Sequence, residues 1–286
     1  MGISFSKATK KKQKARVALI GAAGSGKTYT SLVLAKNLGH RIAVIDTERG
    51  SAAKYSGDVA DFDVCELPTF KPSAYVEAIR AAGDAGFDVL VIDSLSHAWE
   101  GEGGILDQVD KRGGKFDAWR DMSPQTRDLI EAILGYPGHV IATMRAKTEY
   151  VVEKDDRTGK SVPRKVGLAP KFKDGLEFEF DLVGTLDEDN VLRISKSRAP
   201  KLSGQAIAKP GRELADALRS WLDDGVGADE VIRQINEATT LDAARDVVAK
   251  YWKSLDDEGR SRVKAAGDAK KAAMAAARGD DPNAQQ

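Results

Sequence analysis

Four short apolar runs, Val17-Ala18-Leu19-Ile20, Ile42-Ala43-Val44-Ile45, Val89-Leu90-Val91-Ile92 and Val140-Ile141-Ala142-Thr143, punctuate the first half of the chain. They are continuous and β-branched rather than alternating, the pattern of strands buried on both faces of a parallel sheet. Between them, Thr28 to Leu38, Ser73 to Ala85 and Pro124 to Leu134 carry apolar residues at helical spacing. This β-α-β order predicts an α/β fold: an open, mainly parallel central sheet, helices on both faces, and ligands at the carboxyl ends of the strands. Phe178 to Ile194 predicts two further strands turned at Asp187-Glu188-Asp189-Asn190.

Beyond Pro210 the texture changes to Ala, Asp, Arg and Lys without a strand-like run, predicting helices at about 211–223, 228–237, 241–255 and 257–277. The expected organisation is a basic flexible arm over 1–13, an α/β core over 14–203, a small α-helical appendage over 204–278 and a disordered tail over 279–286. The arm leads into the first strand with Lys7, Lys10, Lys11, Lys12, Lys14 and Arg16 and reads as solvated.

Composition narrows this picture only a little. The 286 residues carry no formal net charge, so a polyanion partner has to be met by local patches rather than by the whole field. The single cysteine, Cys65, forms no internal disulfide and fits a reducing cytoplasm. No run of eighteen apolar residues and no apolar leader occur, so a cytoplasmic protein without membrane contact is expected. Met1-Gly2 through Ser6 matches the loose myristoylation pattern, which has meaning only in a eukaryotic cell.

The chemistry begins where the first strand ends. Gly21-Ala22-Ala23-Gly24-Ser25-Gly26-Lys27-Thr28 matches the phosphate-loop pattern G-x-x-x-x-G-K-[ST] in full, between a strand and a helix as the pattern requires. Backbone N–H groups of such a loop turn inward around phosphates, and the helix adds its positive end. The loop and the following Tyr29 are the expected ATP-binding stretch, with Lys27 on the β- and γ-phosphates and the Thr28 hydroxyl on magnesium. Asp93, ending the run Val89-Leu90-Val91-Ile92, is the expected second metal residue, acting through water. The cofactors expected are therefore ATP and Mg2+.

Glu48 follows the second strand in Ile45-Asp46-Thr47-Glu48, at the sheet edge facing the γ-phosphate. Spacing alone leaves two readings, a carboxylate that activates water or one that is solvated or caps a helix. Strand, Asp-Thr-Glu and then the segment Arg49-Gly50-Ser51 resembles the RecA-family recombinases, and that resemblance implies that Glu48 orients the attacking water. Lys196 and Arg198, in Lys-Ser-Arg before Ala199-Pro200, resemble the segment with which RecA-like subunits reach a neighbour's nucleotide. Two basic residues on an exposed strand face are also an ordinary pattern, so both readings stand. The trans reading implies a filament or ring.

The same resemblance places DNA contacts. From Arg145 to Lys173 the chain holds nine basic residues (Arg145, Lys147, Lys154, Arg157, Lys160, Arg164, Lys165, Lys171, Lys173) against four acidic ones. In RecA-like proteins a mobile loop that touches single-stranded DNA stands here, with Tyr150 or Phe172 available to stack on bases, while a solvated hairpin is the other reading of the segment. An earlier loop, Lys111-Arg112-Gly113-Gly114-Lys115, corresponds to the family's first DNA loop; Trp119 beyond it either stacks or packs. A glutamine that RecA-type recombinases use to couple nucleotide to DNA loop is missing near Met144-Arg145, which puts that coupling in doubt.

A compact core with Thr-Glu-Arg-Gly after the second strand is similar to phage-encoded, core-only RecA-like ATPases of the Sak type, over about residues 14–203. The resemblance implies an oligomeric, DNA-stimulated ATPase of single-strand annealing, with single-stranded DNA, further copies of itself and a single-strand-binding protein as partners. The rivals are a hexameric motor or helicase loader, a P-loop kinase whose basic segment closes as a lid, and a nucleotide-gated binding module.

Overall fold

The computed structural model describes residues 14–154, 161–222, 228–252, 255 and 257–279. Its larger compact unit spans Lys14–Arg219. The four apolar runs become strands β1 (Arg16–Gly21), β2 (Ile42–Asp46), β4 (Val89–Asp93) and β5 (His139–Lys154). With β3 (Asp63–Glu66), β6 (Ser161–Pro170), β7 (Leu182–Leu186), β8 (Val191–Ser197) and β9 (Ala206–Ala208) they make a nine-stranded sheet among the described residues. The order is β3-β2-β4-β5-β1-β7-β8-β9, with β6 paired to β5. Pairing is parallel from β3 through β7 and antiparallel at β8, β9 and β6.

Both faces of the central strands are covered. Ala18, Ile20, Ile45, Leu90, Ile92, Val140 and Ala142 are buried with Tyr75, Val76 and Ile79 of α2 (Pro72–Asp84) and Leu129 and Ile133 of α5 (Phe116–Gly135). The alternate residues Val17, Leu19, Val44, Val91 and Ile141 are buried as well, and α1 (Lys27–Leu38) packs on β1, β4 and β5. Each fully buried Leu or Ile contributes about 1.5–3 kcal/mol relative to exposure.

Arg16 does not belong to a solvated arm. It is 7% exposed, because its guanidinium is consumed by the carbonyls of Leu134 at 2.8 Å, Gly138 at 2.8 Å and Tyr136 at 2.5 Å, which closes the end of α5. Helix α5 itself starts at Phe116 and runs through Pro124 instead of beginning there. Its buried stripe of Ala118, Met122, Thr126, Leu129 and Ile133 keeps helical spacing across the proline, so packing outweighs the one lost backbone bond.

Two short helices, α3 (Ser96–Glu100) and α4 (Ile105–Lys111), precede α5. Helix α6 (Arg212–Leu222) begins within the larger unit, which extends past position 203 to take in β9. The remaining helices α7 (Ala228–Glu237), α8 (Leu241–Tyr251) and α9 (Asp257–Gly279) pack on one another around Val231, Ile235, Ala244, Leu255 and Val263. Thr240 caps α8 by accepting the Ala243 N–H at 3.1 Å, a contact worth about 1 kcal/mol.

Candidate nucleotide site and its basic hairpin

Strand register fixes the site. Asp46 pairs with Asp93 across β2 and β4, and Gly21 pairs with Arg145 across β1 and β5, so all four residues stand at the carboxyl edge of the sheet. Strand β5 separates β4 from β1, yet α1 begins close enough to β4 for the Thr28 hydroxyl to donate to Asp93 Oδ2 at 2.6 Å. Thr143, at the same level of β5, donates its hydroxyl to Asp93 Oδ1. Burial pushes the Asp93 carboxyl above the usual carboxylate range, the two hydroxyls partly oppose this, and the charges of Glu48 and Asp46 add to it.

The loop preceding α1 is tightest at its last glycine. Gly26 has φ 84°, and a Cβ there would lie 2.4 Å from Asn190 Oδ1 in the β7–β8 turn. That turn is held by Asp187 Oδ1, which accepts the N–H groups of Asp189 at 3.1 Å and Val191 at 2.9 Å. Lys27 Nζ donates to Ala22 O at 2.6 Å within its own loop. Burial lowers the Lys27 pKa, with Asp93 and Glu48 pulling the other way and Arg145 lowering it further. The Ser25 hydroxyl is buried without a hydrogen-bond partner.

An unpartnered hydroxyl, inward glycines and a lysine at the head of a helix fit the phosphates of a nucleotide. Thr28 and Asp93 fit a divalent cation. Among the described residues no group of three or more His, Cys, Asp or Glu gathers, so such a cation completes its shell with phosphate oxygens and water, as magnesium does.

Glu48 neither caps a helix nor stands in solvent alone. Its Oε1 accepts from Arg145 Nη2 at 3.0 Å and Nε at 3.3 Å. Asp46 has the structural role instead: its carboxylate accepts the N–H groups of Glu48 at 2.6 Å and Ala52 at 3.0 Å, shaping the turn that carries Glu48. Thr47 Oγ1 accepts the Ser94 N–H at 2.8 Å and lies 2.7 Å from His97 Nδ1. The His97 pKa is lowered by burial and then by Arg145. His97 carries no motif, and Asn190 reads in the sequence only as a turn residue, with nothing to mark its place against Gly26.

Of the two readings of the basic segment the structure has the hairpin: β5 and β6 pair from Ala146–Pro170 to Lys154–Ser161, with a bulge at Glu149/Tyr150. Arg145 sits at its base, with its part-exposed guanidinium on the Glu48 carboxylate. Across from it, Lys171 donates its N–H to Arg145 O at 2.8 Å and its Nζ approaches Glu100 at 3.2 Å. Phe172 is 2% exposed against Trp99, with ring centroids 5.3 Å apart, so packing removes it from any stacking role. Lys147 and Lys173 remain exposed. Lys160 lies outside the described residues, as do the side chains of Tyr150, Arg164 and Lys165.

In the earlier loop, Gly113 and Gly114 take φ of 86° and 68° and carry Lys111, Arg112 and Lys115 at the surface. The aromatic this loop exposes is Phe116, at 81%, whereas Trp119 is 40% exposed with its ring 6.1 Å from that of Trp99. Lys196 is committed to its own chain, donating to the carbonyls of Glu177 at 3.2 Å, Phe180 at 2.7 Å and Phe178. Arg198 lies just past β8, more exposed, 3.2 Å from Asp181 Oδ1. Tyr29 is exposed with its ring edge-on to Tyr55 at 6.1 Å.

A phosphate loop leaving a parallel strand, with its threonine bonded to a strand-terminal aspartate, defines a P-loop nucleotide-binding protein. The chain belongs to the AAA domain family, whose model matches residues 13–210. None of the curated proteins matches it. Among solved structures it is similar to a RadB recombinase, at 15% identity and a TM-score of 0.41, over 67% of this chain and 84% of that one. No helix among the described residues is long and apolar enough to cross a membrane.

Proposed function

We propose that this protein is a MgATP-dependent ATPase that binds single-stranded DNA and serves homologous recombination, by annealing or strand pairing, as an oligomer. The observation that carries the reading is the Glu48–Arg145 pair, because it joins the carboxylate beside the phosphate loop to the base of a basic hairpin. Lys27 and the loop N–H groups hold the β- and γ-phosphates, while Thr28 and Asp93 hold the cation. When bound, magnesium neutralises charge on the phosphate oxygens. Glu48 orients the attacking water and accepts its proton. While Arg145 occupies its carboxylate, Glu48 is a poorer base, and displacement of the hairpin by DNA releases it.

The DNA strand runs past two basic elements, the hairpin with Lys147 and, just beyond its second strand, Lys173, and the loop with Lys111, Arg112 and Lys115. Phe116 offers a face for stacking, the sequence-tolerant mode of single-strand binding. Of the two residues proposed to act in trans, Arg198 has the freedom to reach a neighbouring subunit, and Lys196 anchors the strand that presents it. The resemblance to phage-encoded annealing ATPases supports a place in phage recombination in the host cytoplasm, beside a single-strand-binding protein.

Steady-state ATP hydrolysis with and without single-stranded DNA, over a range of protein concentrations, tests the reading. Stimulation that rises cooperatively with protein is expected. Hydrolysis indifferent to DNA would overturn it in favour of a nucleotide-gated module or a kinase.

A further inference from the structure

At the opposite, amino-terminal edge of the sheet, a cavity of about 330 Å³ is lined by Lys14, Lys36, His139, Arg212 and Arg219, with Asp88 as its acidic member. The four cations among them come from separate elements: the chain two residues before β1, the last turn of α1, and two positions seven apart on α6, all inside the larger compact unit. Lysine in a last helical turn is commonplace. Four cations from three places around one concavity need a different account, since like charges brought together repel.

The local carboxylates offset only part of this charge, since two of them, Asp88 and Asp216, face four cations. Asp88 Oδ2 is engaged by the N–H groups of His40 at 3.0 Å and Arg41 at 2.9 Å, which hold its pKa down. Asp216 is shared between Arg212, at 3.4 Å, and Arg219. Lys36 Nζ donates to the Val59 carbonyl at 2.8 Å. Lys14 has no acceptor among the described residues. His139 Nδ1 accepts the Ala15 N–H at 3.0 Å, so the ring's own proton sits on Nε2 and adds a neutral donor to the lining. Along the sequence the first carboxylate is Asp46, so the segment that enters β1 and builds α1 carries only positive charge.

We propose that this cavity is a phosphate-binding site, separate from the nucleotide site and at the other end of the sheet. Lys14, Lys36, Arg212 and Arg219 supply the charge, and the His139 Nε2–H supplies a hydrogen bond. Phosphate is the anion that fits: it carries several acceptor oxygens for donors arriving from different directions, and guanidinium groups pair with it in a forked geometry. The group comes either from a free phosphorylated ligand or from the backbone of a nucleic-acid strand, and the experiment separates the two.

In a Lys27→Ala background, which removes the phosphate-loop lysine, inorganic pyrophosphate is titrated calorimetrically and a labelled oligothymidylate by anisotropy at several salt concentrations. The comparison is with the same protein carrying Lys14→Gln and Arg212→Gln. Loss of pyrophosphate binding together with an oligonucleotide salt slope shallower by about 1.4, roughly 0.7 per neutralised strand phosphate, supports the strand backbone as ligand. Loss of pyrophosphate binding with the slope unchanged supports a free phosphorylated ligand. Undiminished binding of both probes overturns the proposal. If the double substitution lowers the melting temperature, Lys36→Gln with Arg219→Gln gives the same reading. With Lys27 intact, ATP hydrolysis without DNA is expected to be unchanged by either pair, so failure here is distinguishable from failure of the ATPase reading.

Discussion

The Arg145 guanidinium rests on the Glu48 carboxylate, 3.0 Å from Nη2 to Oε1, although the two residues lie 97 positions apart. Each side chain is part-exposed, 43% for Arg145 and 28% for Glu48. An ion pair of that exposure is worth no more than about 1 kcal/mol, weak enough for a ligand to break. A contact that strand binding or a γ-phosphate can outcompete suits a control point better than a structural brace.

Glu48→Gln is therefore expected to keep nucleotide affinity within a few-fold and to lower turnover by about 10²–10⁴. Arg145→Ala is expected to raise DNA-free hydrolysis about two- to five-fold, the equivalent of the released pair, and to blunt stimulation by DNA. Single-turnover hydrolysis with and without oligonucleotide measures both. A collapse of Arg145→Ala to the level of Glu48→Gln would show that Arg145 serves the phosphate and not the carboxylate.

Phe116 and the exposed lysines should separate in salt titrations. Phe116→Ala is expected to weaken oligonucleotide binding by about 1–3 kcal/mol at every salt concentration, since stacking releases no counterions. Lys147→Gln with Lys173→Gln should instead flatten the slope of log affinity against log salt by about 1.4. Equal slopes in all three proteins would remove the hairpin from the DNA site.

Arg198 acting in trans predicts complementation. Lys27→Ala and Arg198→Ala proteins, each deficient in hydrolysis, are expected to regain activity when mixed, because some interfaces then join an intact phosphate loop to an intact arginine. No recovery at any ratio, with both variants still associating, would assign Arg198 to its own subunit and leave its pairing with Asp181 as its role.

Much of this site was legible in the residues alone. Continuous β-branched runs mark doubly buried strands by composition, and the phosphate loop and Asp93 are local patterns whose meaning follows from the strand they end. What escaped depends on distant partners. Nothing near Arg145 tells that its partner is Glu48, and Phe172 in a basic stretch looks available until Trp99 covers it. The hairpin was only half legible, because Ala146, Thr148, Tyr150 and Val152 alternate with Lys147, Glu149 and Glu153 in a weak local signal that left hairpin and loop both open. Pro124 misled for the opposite reason, since a strong local signal for a helix start was overridden by the apolar stripe on either side of it.

His139 gives the fold a dependence on pH whose sign follows from one hydrogen bond. It opens β5, is 7% exposed, and its Nδ1 accepts the Ala15 N–H at 3.0 Å, an interaction that a protonated ring cannot make. Burial first, then the charges of Lys14 and Arg16, bring its pKa down from 6.5 to about 4. Between those values the unfolded chain holds a proton that the folded one lacks, so the stability due to His139 is full above the unfolded value and is lost as pH falls. At about pH 5 the loss amounts to roughly 2 kcal/mol relative to about pH 7.5, on the scale of 1.36 kcal/mol per unit. Urea unfolding followed by the near-ultraviolet aromatic signal measures it at the two pH values. His139→Gln keeps an acceptor for Ala15 without a titrating ring, and its loss over the same interval should be smaller by about that 2 kcal/mol. Equal losses in the two proteins would mean that the folded state accommodates the charged ring, against both its burial and its bond to Ala15.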